Sequence, residues 1–425
     1  PPIGKESLYA TQFKNLPIGQ MEEKFADYGE VQIKQLNDRS KMYYTPNKEN
    51  NVFQLVVQYG AGEREFPKLG YAAQLMNNAG IMGAYEPQEL KEELSKLNAT
   101  CHVTADDDNL YIIMEGYEAT LPQACQLLSR QILMPKLDEK QLARLKGSAM
   151  GMRQQRKDNV SILNEALRQY MLYGEKSDYI KELTDKEIYE LQISELTGDI
   201  NRASNYEAKV FFTGTLPFDQ VYDILSKNLP LVANERPSNS PQAKDMMPVT
   251  ENTVYFLPNN DAEQAQIHLY IPMQKADKKD DVLRSAFNQY FGLDFTGIVL
   301  NEIREKRSMA YTAYAFVGTQ GIAGKASYLR GYIGTQNDKA NDALDVLMGL
   351  VNDMPKNPER IDNIKSYLRQ AMLTSHPSFR NKAMELVDLG YRGYTDDPAK
   401  ENLPKVDALT FDDIVKFYEE NIKDK

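Results

Sequence analysis

The chain has 425 residues, 42% hydrophobic and 26% charged, which excludes a disordered or fibrous protein and leaves room for two domains of ordinary size. Lys and Arg total 50 against 61 Asp and Glu, a net charge of -11, which argues against nucleic acid as a partner because such contacts are mainly basic. No run approaches the roughly 20 apolar residues of a membrane span, and two cysteines, Cys101 and Cys125, cannot staple a fold of this size and read as small buried hydrophobes.

In chain order, the opening Pro1-Pro2-Ile3-Gly4-Lys5 has neither an initiator Met nor a charged-then-apolar leader. The expectation is a processed chain or an excised piece, and the polar lead-in to Tyr28-Gly29-Glu30-Val31 leans toward an excised C-terminal half. A processed chain is expected in an extracytoplasmic or periplasmic setting, although the sequence carries no address. After Met134-Pro135-Lys136 a helix is expected, capped by Asp138 and Gln141, with Leu142, Leu145, Ala149 and Met152 on one face. Thr184 reads as the N-cap of a further helix. Lys209–Gly214 reads as a strand, and Leu216-Pro217-Phe218-Asp219 opens a helix carrying Val221, Ile224 and Leu225.

Glu235–Lys244 has two prolines and no periodicity, which is linker composition. Beyond it, Thr253–Leu257 and Ile267–Ile271 read as strands. Leu300–Tyr311 reads as the end of a helix turning into the strand Tyr311–Phe316. Met354-Pro355-Lys356 leads into another helical segment, and Thr410 reads as a second threonine N-cap.

Three of these segments recur. Leu90-Lys91-Glu92-Glu93 answers Leu300-Asn301-Glu302-Ile303, Met134-Pro135-Lys136 answers Met354-Pro355-Lys356, and Leu183–Ile188 answers Leu409–Ile414. One order at nearly one offset points to a duplication. The reading is two homologous domains, 1–235 and 251–425, joined by a linker at 236–250. Strands grouped apart from helices give an α+β class, helices laid on one face of a mainly antiparallel sheet. No counterpart of the 210–214 strand follows the last helix; truncation, or a different closure of the second sheet, is expected.

The chain shows no chemistry of its own. His102, His268 and His376 lie far apart, and there is no Cys-x-x-Cys, Gly-x-Ser-x-Gly or phosphate-binding glycine loop. The sharpest difference between the repeats is Arg304 with Tyr311, seven residues apart, facing Leu94 and Cys101 in the other copy. A cation in a last helical turn and a tyrosine in a strand also have ordinary structural uses.

The Arg-Glu-Lys-Arg-x-x-Ala-Tyr segment at 304–311 resembles the signature of the non-catalytic half of M16 (pitrilysin/insulinase-like) metallopeptidases. Tyr43–Asn47 and Gly60–Arg64 resemble the family's first hairpin, and Val210–Leu216 its domain-closing segment. The resemblance implies two domains of the LuxS/MPP-like metallohydrolase type, forming one bowl of a closed chamber. It implies that Arg304 and Tyr311 contact peptide substrate. Zinc and the general base would come from a partner half or subunit bearing His-x-x-Glu-His. The zinc helix would follow Leu69-Gly70-Tyr71-Ala72, where Ala73, Met76 and Asn77 stand in place of His, Glu and His, and the further Glu ligand would fall near Met150 or Gly151. The alternative is a catalytically inert structural or binding paralogue, as the family's respiratory-complex core subunits resemble.

Overall fold

A computed structural model describes residues 8, 9, 12, 16, 22–156, 159–259, 262–293 and 295–425. The Pro1–Lys5 opening lies outside the described residues. Strands β1 (Gln32–Gln35), β2 (Lys41–Pro46), β3 (Val52–Tyr59), β4 (Ala99–Ala105), β5 (Leu110–Tyr117) and β6 (Ala208–Gly214) form a six-stranded sheet, in the order β1-β2-β6-β3-β5-β4. All its pairings are antiparallel except β2 with β6. The Val210-Phe211-Phe212 run explains why β6 is central, since a strand buried on both faces reads as continuously apolar. Alternation sets the layers: Leu55, Val57, Val210 and Phe212 point into the main core, whereas Val56 and Phe211 point out the other side.

Strands β7 (Gln264–Lys275), β8 (Ala310–Thr319) and β9 (Ala326–Gln336) form a second, antiparallel sheet in the order β8-β9-β7. Its core is drawn from residues 271–422, that of the first sheet from 42–229. The expected strand at Thr253–Leu257 does not form: the run is irregular, and Phe256 is 82% exposed. Strand structure depends on a pairing partner, and no described strand lies beside this run, so β7 is a sheet edge.

The helices that position the sites are α1 (Leu69–Met76), α2 (Pro87–Lys96), α3 (Leu121–Leu133), α4 (Glu139–Arg156), α5 (Val160–Tyr173), α6 (Asp185–Glu190), α7 (Phe218–Asn228), α8 (Lys382–Tyr391) and α9 (Phe411–Asn421). Both expected threonine caps are present. Thr184 with Glu187, and Thr410 with Asp413, make reciprocal capping boxes at the starts of α6 and α9. Asp138 caps α4 by accepting from the Lys140 N–H at 2.8 Å. In α7, Val221 and Leu225 are buried as their spacing predicts. The sequence pattern did not show that each sheet also carries a helix on its outer face, α8 on the first and α5 on the second.

No helix among the described residues is long and apolar enough to cross a membrane.

Candidate functional site

Helix α1 turns one face to the core and the other to a cavity. Ala73 and Met76 are each 1% exposed and belong to the main core. Asn77, directly after the helix, pairs with the backbone of the edge strand β4: its Nδ2 donates to the Val103 carbonyl at 2.9 Å, and its Oδ1 accepts from the Val103 N–H at 2.8 Å. A carboxamide carries a donor and an acceptor side by side, so one side chain substitutes for a neighbouring strand at that position. These three residues do not fit a zinc ion: two are buried apolar groups, and the third is fully engaged. Met150 and Gly151 on α4 offer no ligand oxygen or nitrogen in their side chains. Among the described residues no three His, Cys, Asp or Glu are arranged to hold a metal ion.

The opposite face of α1 places Gly70, Tyr71 and Gln74 against a cavity of about 770 Å³, bounded beyond by α4 and by residues 242–245. Its charges are mostly paired. Lys244, on the segment leading away from the first sheet, reaches Asp107 at 2.9 Å and also pairs with Asp178. Arg64 bonds Asp108 at 2.7 Å and the Gln242 carbonyl at 2.7 Å, and Arg156 bonds Glu182 at 2.8 Å. Glu63 is different: no ion pair of its carboxyl is found among the described residues, and burial, reinforced by Asp107 and Asp106, pushes it up to about 7. Gly70 makes room for it, since a Cβ there would meet Glu63 Oε1 at 2.0 Å. Sequence reasoning singled out neither Glu63 nor the Tyr71 and Gln74 pair. The i, i+3 spacing of those two on one helix face is the signal that points to them.

Arg304 and Tyr311 are brought together at the start of β8. Asn301–Glu305 is a π-helical turn, with the Lys306 N–H donating to the Asn301 carbonyl at 3.0 Å. Ser308 at φ +49° then reverses the chain, its N–H bonded to the Arg304 carbonyl at 2.8 Å. The wide turn and the reversal lay the Arg304 guanidinium 5.3 Å from the centroid of the Tyr311 ring, a cation–π contact. Two neighbouring cations share one acid: Glu302 accepts from Lys306 at 2.5 Å and from Arg307 at 2.6 Å. Burial raises the Glu302 carboxyl, but these bonds outweigh it and hold the group below the usual carboxylate range. Among the described residues, Arg304 has one ion pair, a looser one to Glu305 at 3.5 Å. Tyr311 is 75% exposed, and Arg304 beside it is half-buried.

Residues 204–368, which include both Arg304 and Tyr311, match the family model described as the peptidase M16 inactive domain. No curated protein matches the chain. Among solved structures, a peptidase M16 inactive domain from Pseudomonas fluorescens is similar at 18% identity and TM-score 0.69, covering 92% of this chain and 95% of that one. A variant of the ferredoxin protease FusC, solved with Arabidopsis ferredoxin, is similar at 12% identity and TM-score 0.69, over 96% of this chain and 48% of that one. The periplasmic protease PqqL from Escherichia coli is similar at 13% identity and TM-score 0.68, over 97% of this chain and 48% of that one. At these identities the structural likeness speaks for the fold alone.

Proposed function

We propose, starting from the match of residues 204–368 to the peptidase M16 inactive domain, that the chain forms one bowl of a proteolytic chamber whose zinc and general base come from a partner half bearing His-x-x-Glu-His. The observation that carries the reading is the pair of side chains on the matched segment, an exposed phenol stacked under a guanidinium. The Tyr311 phenol is exposed and the Arg304 guanidinium is half-buried beside it. Arg304 supplies a fixed forked cation suited to a substrate carbonyl or carboxylate. Tyr311 supplies a hydroxyl suited to a developing oxyanion. The reading is supported further by the proteases FusC and PqqL, in each of which a region about the size of this chain is roughly half of the polypeptide. It also agrees with the state of α1, whose core face and following Asn77 are committed to packing and strand pairing.

The proposed domain division, 1–235 and 251–425 with a linker at 236–250, is part of this reading, as is a duplication of one ancestral unit.

The test is a peptidase assay on the chain mixed with a zinc-bearing partner half. Tyr311→Phe keeps the ring that Arg304 stacks on and removes only the hydroxyl. Loss of one positioned oxyanion donor lowers turnover about 100-fold, and Arg304→Ala is expected to do at least as much, with folding and the partner's zinc content unchanged. Wild-type turnover in both variants rejects the contact role and leaves the inert paralogue. Peptide cleavage and stoichiometric zinc in the isolated chain reject the whole reading.

A further inference from the structure

The outer face of each sheet is covered by a helix from the other side of the 236–250 stretch. On the first sheet, Ala383, Met384, Leu386 and Val387 of α8 join Val56, Phe211, Tyr43 and Ile113 in one cluster. Ala383 is 3% exposed. On the second sheet, α5 lies along β7, with Asn164 Oδ1 at 2.8 Å from His268 Nε2. His268 and Tyr270 are on the face of β7 opposite to Ile267, Leu269 and Ile271, which face the core. The exchange is reinforced from both ends. The Ala26 N–H donates to Asp397 at 2.7 Å, and Lys382 on α8 bonds Glu30 at 2.7 Å. Within the connecting segment, the Lys244 N–H donates to Gln320 at 2.7 Å while its ammonium pairs with Asp107, and the Met247 N–H donates to the Leu172 carbonyl on α5 while its own carbonyl accepts from Tyr270.

We infer that the connecting stretch is not a hinge, and that the two sheets form one cooperative, rigid body because each borrows its outer covering helix from the other. Removing α8 would uncover Val56, Phe211, Tyr43 and Ile113 together, an apolar patch of the kind soluble proteins do not leave exposed. Removing α5 would leave the His268 imidazole and the Tyr270 side of β7 without their covering layer. Neither sheet therefore keeps its native state when the other melts. The inference does not depend on the proposed function, and a segment of linker composition is here a pinned strap.

A recognition sequence for a site-specific protease, inserted between the exposed Glu251 and Asn252, tests this in the full chain. After cleavage the two fragments are expected to co-elute in gel filtration at the position of the uncut protein, with hydrogen-exchange protection retained in β3 and β9. Fragments that separate under native conditions overturn the inference. In the uncut chain, Ala383→Asp is expected to lower protection in β3 and β9 together, at least tenfold in each. Loss in one strand with the other unchanged also overturns it. Should that variant fail to fold, the cleaved insertion chain decides alone.

Discussion

Replacing Asn77 measures how much the protein relies on a side chain acting as a strand. In Asn77→Ala, the Val103 N–H and carbonyl lose the partners now at 2.8 and 2.9 Å. Val103 is buried, so water replaces those partners poorly. Two net hydrogen bonds contribute about 2 kcal/mol, and imperfect solvation of the freed backbone groups raises the loss to about 3 kcal/mol. With a urea m-value of about 3 kcal/mol/M, the unfolding midpoint falls by about 1 M with m unchanged. Asn77→Asp separates the two bonds. The carboxylate keeps the acceptor for the Val103 N–H but opposes the Val103 carbonyl at neutral pH. Protonation restores a donor, so the gap between Asp and wild type is expected to narrow below the ordinary aspartate pKa of about 4. Equilibrium unfolding followed by circular dichroism at pH 7 and pH 3.5 reads both effects. A loss under 0.5 kcal/mol in Asn77→Ala would falsify the strand-substitute role.

Three further outcomes follow from the sites. Glu63 has a folded pKa of about 7 against an ordinary value of 4.5. The folded state thus binds the extra proton, and the stability Glu63 contributes is complete below pH 4.5 and lost as pH rises through 7. Glu63→Gln is expected to be more stable than wild type at pH 8 by about 1–2 kcal/mol, allowing for solvent screening, and the advantage should vanish by pH 4.5; a pH-independent difference refutes the titration. The triple change Ala73→His, Met76→Glu, Asn77→His is expected to yield little folded protein and no zinc retained after dialysis, because it puts two polar groups at positions 1% exposed; a folded product with one equivalent of zinc contradicts the packing described. Lys244→Met removes the cation that Asp107 and Asp178 share and leaves Asp107 with Arg64 at 3.2 Å, a cost of about 1 kcal/mol because both acids are partly exposed, read as a lower thermal midpoint than that of Lys176→Met, whose pair with Asp245 is exposed.

What the sequence disclosed was local. Thr184 and Thr410 signal helix starts through the three residues that follow them, and Val210-Phe211-Phe212 signals a central strand by its own composition. Arg304 and Tyr311 are visible as a pair by spacing, but their stacking needs the π-helical turn and the reversal at Ser308, and no periodicity announces either. Thr253–Leu257 has the side chains of a strand and lacks the neighbour that would make it one. Asn77 is the same problem inverted: a polar residue at the end of an apolar helix face looks like a lost ligand until β4 arrives from 26 residues away. Glu63 carries no local sign of its elevated pKa, because the burial that chiefly raises it, and the Asp107 and Asp106 charges that add to it, arise only in the folded chain.

Strand β7 runs for 12 residues and pairs on one side only among the described strands. Its Ile267, Leu269, Ile271 and Met273 alternate like those of an interior strand, yet it ends the sheet. An outward row of amides and carbonyls on so apolar a ribbon is a template for polymerisation, moderated by Pro272, which has no N–H to give, and by the charge of Lys275 at its end. In concentrated solution this ribbon, rather than the acidic remainder of the surface, is where fibrils would begin.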